Sequence, residues 1–316
     1  MRLVASAHPM GNEHGHIEAH SAAYFGDTRD HWWNLDFLGL MARRLQLGEV
    51  HHVLDVGCGV GHWGQLLANV LPDDARVTGL EREPAWVERA TARAERLGLA
   101  SRFEYRCGDA RKLPFPDDTF DLTTCQTVLI HLADPAAAIA EMKRVTKPGG
   151  LVLAAEPNNL TAALLLDSIT NRASVDAIVD LVRFQLTCER GKIALGEGDN
   201  SLGDRVPGLF AAQGLESIDV HVNDKASAIL PPYASASARA LADEARDQDA
   251  RGQWNWDEAE TRRYFLAGGG AEEAFLGHYA RGLAARRNIV RGLGEGTYDA
   301  VAGGALFLIS GRKPAG

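Results

Sequence analysis

A carboxylate within an apolar stretch and three alternating glycines are the residues of this chain best suited to chemistry. Asp55 follows Val53 and Leu54, and glycines then occupy positions 57, 59 and 61. Glycine permits a backbone conformation and a close approach that a Cβ would block, so a ligand can lie directly against this turn. A helix beginning near Gly61 would direct its N-terminal amides at the same place. These features indicate a site for a nucleotide-like ligand.

Two ligand classes fit this turn, and its register distinguishes them. From Gly59 the sequence spells G-x-G-x-x-G and ends at Gly64, which matches the dinucleotide fingerprint. From Asp55 it spells D-x-G-x-G-x-G, which resembles motif I of the class I methyltransferases that use S-adenosylmethionine. A pyrophosphate gains nothing from an extra anion here, whereas a ligand with an ammonium and a sulfonium group is compatible with one. The second interpretation is favoured.

Residues further along the chain extend the resemblance. A second predicted strand ends at Glu81, whose carboxylate is a bidentate acceptor for two vicinal ribose hydroxyls. A third ends at Asp109 and Ala110, which is similar to the family's adenine site. The phrase at 113–121, Leu-Pro-Phe-Pro-Asp-Asp-Thr-Phe-Asp, resembles the ubiquinone and menaquinone C-methyltransferases. The ordered matches cover residues 50–157, and together they are far more specific than a glycine motif alone.

The resemblance implies S-adenosylmethionine as cofactor and assigns residues to it. In this family the glycines line the methionine and ribose part, and an N-terminal helix closes over the cofactor. Tyr24 would then reach the cofactor carboxylate and Arg29 would pair with it, while Gln126 would line the methionine end. The implied cofactor contacts are Tyr24, Arg29, Asp55, Gly57, Gly59, Gly61, Glu81, Arg82, Asp109, Ala110 and Gln126.

The candidates for a catalytic base are Glu156 and His131, near the predicted carboxyl edge of the sheet. Methyl transfer is an in-line displacement that depends on alignment and desolvation, and a base is needed only by acceptors that must lose a proton. The structural alternative for His131 is a packing or capping role. We expect no metal site, because transfer from a sulfonium needs none and the histidines at 14, 16 and 20 lie in a polar segment.

The bulk composition excludes several classes of protein. The chain has 316 residues, of which 46% are hydrophobic, and a formal net charge of −9. This charge argues against a general nucleic-acid or anionic-membrane surface. The four cysteines are far apart and indicate small buried residues in a reducing compartment. No signal peptide or uninterrupted apolar span is apparent, so we expect a cytoplasmic protein that binds neither nucleic acid nor membrane.

The predicted fold is α/β, with a doubly wound, seven-stranded, mostly parallel sheet. We expect an N-terminal helical lid at 1–49 and a methyltransferase core at 50–232 that includes a helical insert at about 160–204. A helical cap is expected at 233–300, because about 80 residues before the last strand are too many for a loop, and 301–316 completes the core. Trp254 and Trp256 either wall an acceptor pocket or form the cap's own core or a dimer contact.

The sequence therefore predicts transfer of a methyl group from S-adenosylmethionine to a small molecule, with a specialised metabolite as one candidate, in an enclosed pocket. One alternative is a nicotinamide-dependent oxidoreductase, indicated by the fingerprint that begins at Gly59. Another is a non-catalytic protein of the same fold that binds the cofactor. Either the cap or the N-terminal helix is a candidate interface for a homodimer.

Overall fold

Nine strands are present in this computed structural model, which describes residues 29, 31–224 and 226–316. They are β1 (His52–Val56), β2 (Arg76–Glu81), β3 (Phe103–Cys107), β4 (Phe120–Gln126), β5 (Thr146–Asn158), β6 (Glu216–Val222), β7 (Ser227–Ile229), β8 (Ala300–Ala302) and β9 (Ala305–Arg312). Seven of them form one sheet in the order β3-β2-β1-β4-β5-β9-β6. Strands β1 to β5 are parallel, and β9 is antiparallel to both β5 and β6. The predicted doubly wound, mostly parallel sheet is confirmed.

Nine α-helices accompany the strands within the described ranges. They are α1 (Leu35–Leu45), α2 (His62–Leu67), α3 (Pro84–Arg96), α4 (Pro135–Val145), α5 (Val175–Ala194), α6 (Val206–Ala212), α7 (Ala236–Ala250), α8 (Glu258–Ala267) and α9 (Glu272–Glu295). The apolar residues of β1 are fully buried between two clusters of side chains, as expected for a central parallel strand. The sheet is therefore a rigid support for the turns at its carboxyl edge.

Local signals in the sequence fix several element ends. Asp134 precedes α4, and its carboxylate accepts a hydrogen bond from the Ala137 N–H at 3.1 Å. Proline follows as the first residue of the helix, where its missing N–H costs nothing. Gly214, with φ of 66°, follows α6 in the left-handed conformation that suits a helix terminus.

The segment before α5 differs from its prediction. The sequence predicts a helical insert from about residue 160, but its first part consists of two short 3₁₀ turns, Asn159–Leu164 and Thr170–Arg172. The Asp167 carboxylate accepts hydrogen bonds from the N–H groups of Ile169 and Thr170 at 2.8 and 2.7 Å. Such a local turn competes with helix formation, which explains the error.

The helices α7, α8 and α9 lie between β7 and β8, where the sequence predicts the cap. Helix α8 packs closely on α5, since a Cβ at Gly191 would overlap the Tyr264 carbonyl oxygen. The small antiparallel pair of β7 and β8 at the base of these helices was not predicted. No helix of the described chain is long and apolar enough to cross a bilayer.

The cysteines are unpaired in the structure, as expected, but they are not all buried. Cys58, Cys125 and Cys188 are buried, whereas Cys107 is exposed at the end of β3. The prediction of burial was wrong for Cys107 because the outer end of β3, at the sheet edge, is largely open to solvent.

Candidate active site

The turn after β1 requires glycine at two positions for steric reasons. Gly57 and Gly61 have φ of 64° and 83°, in the region that side chains disfavour. A Cβ on Gly57 would lie 2.7 Å from Val128 Cγ2, and one on Gly61 would lie 2.6 Å from Gln65 Nε2. The turn between β1 and α2 is therefore bare backbone, which a ligand can approach closely.

Asp55 ties the glycine turn to the helix that follows it. Its side chain is buried, and Oδ2 accepts a hydrogen bond from the Gly64 N–H at 3.0 Å. Its Oδ1 has no hydrogen-bond partner among the described residues. Burial raises the pKa of Asp55 to about 7, and the nearby charge of Glu81 adds to the rise. A cationic group near Asp55 would favour the ionised carboxylate, and the two opposite charges would stabilise each other.

Glu81 joins the end of β2 to the same turn. Its Oε2 accepts from the Gly59 N–H at 2.9 Å, while Oε1 accepts from the Arg82 N–H at 2.6 Å. The main-chain oxygen of Glu81 accepts from the Gly108 N–H at 2.9 Å, which holds the end of β3 alongside. The structure thus brings together the turn, Asp55 and Glu81, as their positions at adjacent strand ends predict.

The predicted adenine site is more open to solvent. Asp109 accepts hydrogen bonds from the Arg111 guanidinium, the shortest at 2.7 Å, and from the Arg111 main chain at 2.8 Å. These bonds lower the pKa of Asp109 to about 2. Ala110 lies beside it, and the exposed Arg82 pairs with Glu83 at 3.3 Å. An adenine amine would share Asp109 with Arg111.

A cavity of about 610 Å³ lies beyond the carboxyl ends of β4 and β5. Thr127, directly after β4, and His131 line it from the core. Helix α5 lines a further side, and helix α7 and the segment with Trp254 and Trp256 line it from the cap. A site of this size, lined by both apolar and polar side chains, suits a small organic molecule.

The two tryptophans of the cap have two of the roles that the sequence left open. They belong to a buried aromatic cluster with Phe184, Tyr264 and Phe265, and they also line the cavity. The ring centroids of Trp254 and Phe184 are 4.8 Å apart. The cap's own core therefore supplies one wall of the cavity.

The start of the described chain closes another side of the cavity. Arg29 lines it, and its guanidinium lies 4.9 Å from the centroid of the Trp32 ring. Burial lowers the pKa of Arg29 to about 10. Gln126 accepts a hydrogen bond from Trp33 Nε1 at 3.2 Å, next to the cavity-lining Thr127. Tyr24 lies outside the described residues, so its predicted cofactor contact stays a prediction.

Glu156 does not face the cavity, in contrast to its predicted role as a base. Its side chain is fully buried, and Oε1 accepts hydrogen bonds from the N–H groups of Val128 and Leu129, both at 2.9 Å. Its Oε2 accepts from the Ile130 N–H at 3.4 Å, and burial raises its pKa to about 7. The carboxylate is therefore a support for the turn that places His131 at the cavity.

The sequence analysis missed the polar floor of the cavity. Gln185 on α5 and Asn200 line it, although neither belongs to a recognised motif. One signal was available, because Gln185, Glu189 and Lys192 follow helical spacing among apolar residues. All three are buried in the structure.

The glycine turn lies within a segment that is similar to known proteins. Residues 54–154 match a family profile described as a methyltransferase domain. An uncharacterized methyltransferase of Schizosaccharomyces pombe is 39% identical over 124 residues, which cover 37% of this chain and 43% of that protein. The demethylmenaquinone methyltransferase of Lactiplantibacillus plantarum is 34% identical over 134 residues, which cover 41% of this chain and 52% of that protein. The matches thus span about half or less of these relatives.

A solved structure resembles the chain over a longer range. A Galdieria sulphuraria protein assigned as a sarcosine dimethylglycine methyltransferase has a TM-score of 0.50 and 17% identity, covering 89% of this chain and 85% of that one. At this identity the likeness concerns the fold alone.

Proposed function

We propose that this chain, whose residues 54–154 match a methyltransferase-domain profile, is a class I S-adenosylmethionine-dependent methyltransferase. It would transfer a methyl group to a small molecule in the 610 Å³ cavity. One observation carries the proposal: the glycine turn and the cavity lie at the same carboxyl edge, with Gln126 and Thr127 between them. A cofactor on the turn and an acceptor in the cavity would meet at this edge.

The residues of the turn fit S-adenosylmethionine. Asp55 Oδ1 is buried and has no partner within the described chain, and a cofactor ammonium would stabilise its charge. Glu81 lies beside the turn, where it would accept from ribose hydroxyls. Asp109 and Ala110, at the next strand end, would bound the adenine. When bound, the cofactor supplies a methyl group on a cationic sulfur.

The protein's part in this reaction is alignment and exclusion of water. The cap and the side chains of Arg29, His31 and Trp32 line the cavity, which would hold the nucleophilic atom of the acceptor in line with the methyl group. We propose His131 as the group that takes a proton when the acceptor must lose one, since it lines the cavity and Glu156 does not.

The nicotinamide alternative is not favoured. The Gly59 N–H, which would face a pyrophosphate, is already bound to the Glu81 carboxylate at 2.9 Å. A pyrophosphate there would lie near two carboxylates, Asp55 and Glu81, and like charges repel. The cavity beside the glycine turn also favours an enzyme over a cofactor-binding protein without an acceptor.

We further propose that the protein acts as a homodimer in the cytoplasm and does not bind nucleic acid. The unpaired cysteines support a reducing compartment such as the cytoplasm. The net charge of −9 argues against binding to the negatively charged backbone of nucleic acid. Light scattering tests the dimer, and an electrophoretic shift assay with RNA and DNA tests the nucleic-acid part.

Calorimetric titration with S-adenosylmethionine and with S-adenosylhomocysteine tests the function. We expect both to bind the wild type, and Glu81→Gln to weaken binding about 10- to 100-fold, since it removes a charge-assisted hydrogen bond. Glu88→Gln, on the exposed face of α3, is the matched control and should bind like the wild type. Absence of heat with both ligands, together with heat on adding NADH, would instead support the oxidoreductase.

A further inference from the structure

Helix α5 turns three polar side chains toward the inside of the protein. Gln185, Glu189 and Lys192 are only 6%, 3% and 2% exposed. Burying such groups costs free energy unless they are hydrogen-bonded. The binding of the cofactor at the glycine turn gives none of them a role, yet Gln185 lines the cavity.

The partners of Gln185 fix the orientation of its amide. Its Nε2 donates to Glu189 Oε1 at 3.0 Å and to the Asn159 main-chain oxygen at 3.3 Å. Glu189 is held in turn, because its Oε2 accepts from Ser201 Oγ at 2.7 Å. A carboxylate and a carbonyl only accept hydrogen bonds, so both amide hydrogens of Gln185 are committed to them. The atom left to face the cavity is the Gln185 carbonyl oxygen, which accepts no bond from the described residues.

A second amide, that of Asn159, lies beside it and also lines the cavity. Asn159 Nδ2 donates to the Asn200 main-chain oxygen at 2.8 Å. Asn200 Oδ1 accepts from Lys192 Nζ at 3.2 Å. The polar floor of Gln185 and Asn200, with Asn159 beside them, therefore offers the Gln185 carbonyl oxygen as an acceptor.

Apolar side chains line part of the cavity. Leu181 lies one turn before Gln185 on α5, and Leu241 and Trp254 face the cavity from the cap. A molecule that fills this space would bury an apolar body against these side chains and direct a polar end to the floor.

We propose that Gln185 is a specificity-determining residue, which accepts a hydrogen bond from an O–H or N–H group of an otherwise apolar methyl acceptor, and that Glu189 is the positioning residue that orients it. This inference rests on the proposed function only in identifying the occupant of the cavity as the methyl acceptor. The acceptor class is thus an apolar molecule with a neutral hydroxyl or amino group at one end.

The test compares two probes that differ in a single donor. 2-Naphthol has an apolar body and one O–H, and 2-methoxynaphthalene replaces that O–H by an ether. We expect the wild type to bind 2-naphthol about tenfold more tightly by calorimetry, because an unmatched buried acceptor loses a hydrogen bond. Equal affinities, or no binding of either probe, would overturn the proposal.

Two variants test whether Gln185 and Glu189 cause the preference for 2-naphthol. Gln185→Leu should bind both probes alike, and Glu189→Gln should reduce the preference, since the Gln185 amide can then rotate and donate to the ether. Gln213→Leu, just after α6 and outside the cavity lining, is the control and should keep the tenfold preference. A preference that persists in both Gln185→Leu and Glu189→Gln would contradict the assignment.

Titration with S-adenosylhomocysteine in parallel separates this inference from the proposed function. The Gln185→Leu and Glu189→Gln variants should bind this ligand like the wild type, because neither residue lies at the glycine turn. If the wild type binds the probes selectively but not S-adenosylhomocysteine, the proposed function fails while the role of Gln185 stands.

Discussion

Replacing Glu156 by alanine is expected to lower the free energy of unfolding by about 3–5 kcal/mol. The substitution removes the acceptor for the N–H groups of Val128, Leu129 and Ile130. The Glu156 side chain has no solvent exposure, so in the alanine variant bulk water does not reach these N–H groups to replace the lost hydrogen bonds. Urea denaturation at pH 8, followed by circular dichroism, measures the loss.

Glu156→Gln separates support of the turn from catalysis. Its retained oxygen still accepts from Val128 and Leu129, and only the long bond to Ile130 is lost, so we expect a cost of about 1 kcal/mol. Binding of S-adenosylhomocysteine should be unchanged. A Glu156→Gln protein of wild-type stability that binds cofactor but transfers no methyl group would show instead that the carboxylate acts in the reaction.

The site around the glycine turn was predictable because its constraints are local. Gly61 adopts φ of 83° and has no room for a Cβ, and such requirements show directly in the sequence. The positions of Asp55 and Glu81 at adjacent ends of parallel strands follow from the predicted topology. Their hydrogen bonds to Gly64 and Gly59 then close the site.

The role of Glu156 was not predictable from the same pattern. The sequence places it near the carboxyl end of β5, but its partners are amides 26 to 28 residues earlier in the chain. Which face of the strand meets that turn depends on the packing of β4 against β5. The next residue, Pro157, lines the cavity that Glu156 does not reach.

The cavity itself depends on contacts between residues that are even further apart in the sequence. Its walls combine α5, α7, the 254–256 segment and residues 302–306. The pairing of β7 with β8 joins residues about 70 positions apart and holds the cap over the sheet edge. Amphipathic patterns predicted the helices but carry no information about how they are arranged around a cavity.

Asp55→Asn is expected to change how stability depends on pH. The folded-state pKa of about 7 lies above the unfolded value, so the native protein binds more protons between about pH 4 and 7. This group's contribution to stability therefore falls as pH rises through that range and is constant above it. Relative to Asp55→Asn, the unfolding free energy of the wild type should rise by about 2–3 kcal/mol between pH 8 and pH 5.

The comparison with Asp55→Asn isolates this carboxyl from the others. Glu156 also has a pKa of about 7, but it is present in both proteins and cancels in the difference. Asp73→Asn, at an exposed position, should follow the wild type at every pH. Saturating S-adenosylmethionine should reduce the effect, because its ammonium favours the ionised Asp55 and brings its folded-state pKa back toward the unfolded value. If the unfolding free energies of the wild type and Asp55→Asn changed with pH in parallel without ligand, the raised pKa of the buried Asp55 carboxyl would be contradicted.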